Sequence, residues 1–198
     1  SVSWRGWEVF GLSPVLGCDW LSHYGRLSNN SLTFIRLMGG QLTEQESPVP
    51  FPKKLYKRIH NAEVESQLVF IRDSLKLMSR LWLRLYHHDN LPSLNWDTKK
   101  IEHFLIVILR QMDSVDTCVS LRADTSTPQN SKLSKYFRKL ERSTLHPKGG
   151  STASWELIRR ETKLHLDQLD LLFSSIKGRS SAHQTCKRRS CVASTFLS

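Results

Sequence analysis

From Val64 to Leu85 the apolar residues fall at Val64, Leu68, Ile71, Leu75, Met78, Trp82 and Leu85, in steps that alternate four and three. Only an α-helix, at 3.6 residues per turn, brings such positions onto one face, so this stretch must be a helix with one buried stripe. Leu77, Leu81 and Leu83 widen the stripe near its end. The pattern recurs after "LPSLNWD", where Ile101, Phe104, Leu105, Ile108, Met112, Val115 and Val119 share a face that Asp97 or Asn95 could cap. It recurs again at Trp155, Ile158, Thr162, His165, Leu169, Leu172 and Ile176. There Leu157, Leu164, Leu166, Leu171 and Phe173 add a second apolar flank, which predicts a central helix buried on much of its circumference.

Two weaker helices complete the set. One runs from Asp19 to about Met38 and stops at Gly39-Gly40; the other covers about Lys132 to Leu145 and stops at "HPKGG". Between the first two helices lies the long, proline-bearing segment "GGQLTEQESPVPFP". The reading is therefore all-α: a bundle of five main helices with crossover connections and a long loop after the first helix. The 198 residues suffice for a single core. Residues 1–17 read as an N-terminal extension or signal remnant, 18–177 as the helical domain and 178–198 as a basic, disordered tail. No segment repeats with a period of 20–50 residues.

Composition narrows the function classes. The longest nearly unbroken apolar run is "FLIVIL", Phe104 to Leu109, far short of the roughly 20 residues that span a bilayer, so membrane insertion is not expected. "SVSWRGWEVFGLSPVLG" makes a poor signal peptide, because Glu8 interrupts its apolar centre. The net charge is +11, and five of those cations (Lys177, Arg179, Lys187, Arg188 and Arg189) follow Ile176 with no acidic residue among them. Such a tail is either simply solvated or suited to weak binding of acidic glycans or nucleic acid. No Arg/Gly repeat or aromatic–basic signature points to specific nucleic-acid recognition.

No catalytic constellation emerges. A glycine-rich phosphate loop, GxSxG and HExxH are all absent, and the carboxylate pairs Glu63/Glu65 and Asp167/Asp170 sit among basic residues on polar faces. His87-His88-Asp89 lacks a second ligand group at metal-binding spacing, and His165, on an apolar stripe, reads as a hydrogen-bonded core histidine. An enzyme is not expected, and no cofactor or metal is implied. The four cysteines are Cys18, Cys118, Cys186 and Cys191. Cys18 and Cys118 stand 100 residues apart and are either bridged or two unrelated thiols; a bridge would stabilise by about 4–5 kcal/mol through chain entropy. Asn29 with Ser31 forms a glycosylation acceptor triplet.

Three stretches carry a family resemblance: "CDWL" at the first helix, "ESPVPFPKKLYKRIHNAEVESQLVFIRDSL", and "KYFRKLE" with "GGSTASWELIRRETKLHLDQLDLL". Together they resemble fish type I interferons of the two-cysteine group, within the class II helical cytokines. "SWELIRRE" is similar to the family's Cys-Ala-Trp-Glu signature, with Trp155 and Glu156 retained and Ala153 where mammalian members carry a cysteine. The resemblance spans about Cys18 to Ile176 and implies a Cys18–Cys118 bridge. It also implies a secreted antiviral cytokine, a monomer or weak dimer, that binds a two-chain class II cytokine receptor and activates JAK-STAT signalling. By position it assigns one receptor chain to Arg159, Arg160 and Lys163 on the last helix and to Thr43, Glu44, Gln45 and Glu46 in the long loop. All three basic residues lie mostly off the apolar stripe and are expected to project outward. The rival class is an intracellular helical protein that binds RNA or another polyanion through its tail.

Overall fold

The computed structural model describes residues 20–87, 94–119, 128–145 and 150–193, the last fourteen of these as backbone alone. Six helices follow one another: α1 (Trp20–Leu37), α2 (Lys53–His60), α3 (Val64–His87), α4 (Thr98–Val119), α5 (Pro128–Thr144) and α6 (Thr152–Ala193). Among the described residues there is no strand. The five anticipated helices are present, and the sixth, α2, follows directly on the long proline-bearing segment, before α3. Leu55, Tyr56 and Ile59 give α2 a buried face only one turn deep, too short a run for its periodicity to stand out.

Helix α6 is central: it packs against α1, α2, α3 and α5, while α4 closes the bundle against α1 and α3. One contiguous core joins all six helices. Within it Trp82 is fully buried, with Phe104 at 5.0 Å in an edge-on arrangement and Trp96 stacked at 5.9 Å between ring centroids. Trp82 Nε1 donates to Thr162 Oγ1 at 3.0 Å, so the polar atom of a buried indole is satisfied.

The helix ends follow local chemistry. Asp97 caps α4, accepting from Lys100 N at 3.2 Å, and its own N–H donates to Met38 O at 2.6 Å, tying that cap to the end of α1. Pro128 opens α5, where its missing N–H costs no intrahelical bond, so this helix begins before the expected Lys132. Ser151 caps α6 through its hydroxyl, which accepts from Ser154 N at 3.3 Å. Gly150, at φ 72°, makes the left-handed turn before it. Gly39 is needed for space: a Cβ there would lie 2.6 Å from the Trp96 ring and 2.8 Å from Arg159 Nη1.

The end of α6 differs from the sequence reading. A disordered tail was expected from residue 178, yet the helix continues to Ala193. At Arg179 the side chain turns back, donating to Ala62 O at 3.4 Å and to Gln67 Oε1, so this part of the tail is fastened to the α2–α3 junction. No helix among the described residues is long and apolar enough to cross a membrane.

Candidate functional site

A cleft of about 1050 Å³ opens between the end of the long loop, α2 and the outward face of α6. Glu46, Pro50 and Phe51 form one wall, Lys53, Lys57 and His60 a second, and Arg160, Leu164, Asp167 and Leu171 the third. Prolines 48, 50 and 52 restrict the backbone of the loop, and the burial of Val49 pins it to the core. Leu164 and Leu171 belong to the second apolar flank of α6. Leu157, Leu166 and Phe173 of that flank are buried as expected, but Leu164 is only half-buried and Leu171 is 57% exposed. Their apolar surface faces the cleft and supplies the kind of desolvated contact that protein interfaces use.

Beneath the cleft lies a buried aromatic cluster. His165 is fully buried, its ring 4.8 Å from those of Phe51 and Phe137 and 5.2 Å from Tyr136. Its Nδ1 shares a 2.6 Å hydrogen bond with the Tyr56 hydroxyl, and its Nε2 has no hydrogen-bond partner among the described residues. Desolvation lowers the imidazole pKa to about 3, so the ring is neutral at physiological pH and serves packing. The same burial pushes the Tyr56 hydroxyl far above its ordinary range. Tyr136 donates to Glu161 Oε2 at 2.7 Å, and Arg160 pairs with the other carboxylate oxygen at 3.2 Å. Burial raises the Glu161 pKa, an effect that the Tyr136 hydroxyl and the Arg160 guanidinium partly offset. Arg160 is thereby oriented by a carboxylate that is itself held in place, which preorganises a cation at the cleft wall.

Apart from Arg159, the residues anticipated for the site divide into three groups. Glu46 and Arg160 meet in the cleft. Glu44 and Gln45 are exposed just before it, and Thr43 turns the loop by accepting from Gln45 N at 3.2 Å. Lys163 lies on the neighbouring surface of α6, paired with Asp167 at 2.6 Å.

Arg159 is a correction. It does not project outward: it is fully buried and donates to Ile35 O at 2.8 Å, Arg36 O at 2.7 Å and Gly40 O at 2.8 Å. Its Nη1 pairs with Glu156 at 3.1 Å, and its guanidinium carbon sits 5.6 Å from the Trp96 ring centroid. The cause is tertiary. The end of α1 presses on this part of α6 and presents carbonyls that have no partner in their own helix, and a forked guanidinium satisfies them. Glu156 also accepts from Trp96 Nε1 at 2.6 Å, so the retained signature glutamate fastens the α4 approach, α6 and α1 together.

Asn29 is exposed on α1, while Ser31 of the same triplet is buried and donates to Ser28 O at 2.9 Å. Cys118 is half-buried near the end of α4 and disulfide-bonded. Cys18 and the His88-Asp89 pair lie outside the described residues, as do the side chains of Cys186 and Cys191. Sequence reasoning missed Phe51, Tyr56 and Lys57. "KKLYKRIH" did hold a signal, since its apolar Leu55, Tyr56 and Ile59 alternate with cations at helical spacing.

Residues 22–176 match the family model described as the interferon alpha/beta domain. The chain is 37% identical to Interferon a3 of Oncorhynchus mykiss over 156 residues, 78% of this chain and 84% of that one. Its structure is similar to that of zebrafish interferon 1, with a TM-score of 0.72 and 30% identity over 80% of this chain and 99% of the other. Zebrafish interferon 2 shares the fold at a TM-score of 0.57 and 19% identity, covering 73% of this chain and 96% of the other. The chain belongs to the interferon alpha/beta family, as a fish type I interferon, and is a helical cytokine and not an enzyme.

Proposed function

We propose that the protein is a secreted antiviral cytokine that binds a two-chain class II cytokine receptor and activates JAK-STAT signalling, with one receptor chain seated on the cleft. The observation that carries this reading is the meeting of the loop residue Glu46 and the α6 residue Arg160 in one concavity, with the exposed Leu171 beside them. An anchored guanidinium next to desolvatable leucine surface has the character of an interface hot spot. Lys163, Thr43, Glu44 and Gln45 form the rim in this proposal, and Arg159 supports the site from below without touching the receptor. Pairing of Cys118 with Cys18, and a sugar on exposed Asn29, belong to the same secreted reading.

Purified protein added to fish cells should induce antiviral transcripts; an inert wild type would remove the cytokine reading. The variant Arg160→Glu/Leu171→Ala should bind the receptor chain roughly tenfold to a hundredfold more weakly, with unchanged circular dichroism. Unchanged affinity would take the cleft out of the site.

A further inference from the structure

We propose that the solvent face of α5 is a binding surface for a sulfated polysaccharide chain, independent of the receptor cleft. Leu133, Tyr136, Phe137 and Leu140 turn one side of α5 into the core. The opposite side carries Lys132, Lys135, Lys139 and Arg142, at steps of three, four and three, with Arg138 beside them, all exposed. Ten residues of helix span about 15 Å, so this is a straight row of cations one turn apart. The acidic residue of α5, Glu141, is taken up by Arg84 of α3, and none of the five cations forms an ion pair among the described residues. Helix α2 packs against α5 and adds exposed Lys54 and Arg58, likewise without ion pairs.

Like charges three and four residues apart destabilise a helix, so the row is unfavourable until a polyanion neutralises it. Residues three or four apart on a helix have Cβ atoms about 5–6 Å apart, inside the roughly 8 Å screening length at physiological salt, so neighbouring cations of the row can act together on one ligand. The chemistry of the row selects the ligand. The aromatic residues of α5, Tyr136 and Phe137, are buried, so no ring is offered to stack on a nucleobase. No large apolar side chain of α5 is exposed for insertion into a lipid surface. A linear chain bearing repeated sulfate and carboxylate groups matches what remains. This surface is distinct from the Lys187-Arg188-Arg189 cluster, to which the basic excess of the chain directs attention first.

The probe is heparin, immobilised and measured at physiological ionic strength against the full chain. The charge-reversed variant Lys132→Glu/Lys135→Glu/Lys139→Glu should bind about tenfold more weakly or worse, and Lys187→Ala/Arg188→Ala/Arg189→Ala should bind nearly as wild type. A lysine-to-arginine triple variant at 132, 135 and 139 should retain binding, and a glutamine triple replaces the glutamate one if circular dichroism shows lost helicity. Absence of wild-type binding, or loss confined to the 187–189 variant, would overturn the proposal. Equal or tighter binding of single-stranded RNA of matched charge would also overturn it, in favour of a nucleic-acid ligand.

Discussion

Arg159 presents five N–H donors, and every one finds an oxygen: three backbone carbonyls at the end of α1 and both oxygens of Glu156. A residue so placed fixes the angle between α1 and α6. Truncation by Arg159→Ala strands buried carbonyls and leaves Glu156 without its cation, and should lower stability by about 3 kcal/mol in urea-monitored unfolding. Arg159→Lys keeps the charge but not the planar fork, and should recover less than half of that loss. An Arg159 variant therefore reports on folding, whereas an Arg160 variant reports on the cleft, although the two are adjacent in sequence. Nothing local distinguishes them: both are arginines beside the apolar stripe, and only the arrival of the α1 carbonyls assigns one to the interior.

At the scale of the element, α6 joins the core, the cleft and the buried aromatic cluster along one helix. Its buried stripe was legible residue by residue, from Trp155 through Ile158, Thr162, His165, Leu169, Leu172 and Ile176, all of which are buried. His165 makes that burial sensitive to pH. Its folded-state pKa of about 3 lies below the ordinary imidazole value of 6.5, so the unfolded chain binds a proton that the folded chain refuses. The contribution is fully present above pH 6.5 and is lost as pH falls toward 3, at about 1.4 kcal/mol per pH unit. Glu161 acts with the opposite sign, because its raised pKa makes the folded state bind a proton more readily as pH falls. The His165→Phe variant should therefore lose less stability than the wild type between pH 6.5 and 4, measured as denaturation midpoints. Equal slopes for the two proteins would show that the imidazole does not govern acid sensitivity.

For the whole molecule, the long loop and α2 decide the functional surface. The loop was legible as a loop from its glycines and three prolines, and Glu46 was placed in the site by resemblance. That Glu46 and Arg160 line one cleft together with Tyr56 required the folded chain, because α2 lies over α3, α5 and α6 at once. The Cys118 disulfide belongs to this scale too. With Cys18 as its proposed partner it closes a loop of about 100 residues, and Cys18→Ser should destabilise by about 4 kcal/mol, or more if the freed Cys118 thiol is poorly accommodated. A Cys18-containing peptide that stays cross-linked to Cys118 in a non-reducing digest would establish the pairing directly, and two free thiols would refute it.

The sequence by itself determined the all-α architecture, the positions and buried stripes of the long helices, a cap for α4 at Asp97 or Asn95, the glycine stop after α1 and the family. Each of these follows from local periodicity, from end chemistry or from residues that match a known pattern. The tertiary structure alone decided that Arg159 is interior while Arg160 is half-buried at the cleft wall, that Leu171 is surface and Leu166 core, and that α6 runs beyond residue 178. A helical stripe states which side of a helix is apolar but not where a neighbouring helix ends. The unsatisfied carbonyls at such an end can draw a charged side chain inward, against what its own helix would suggest.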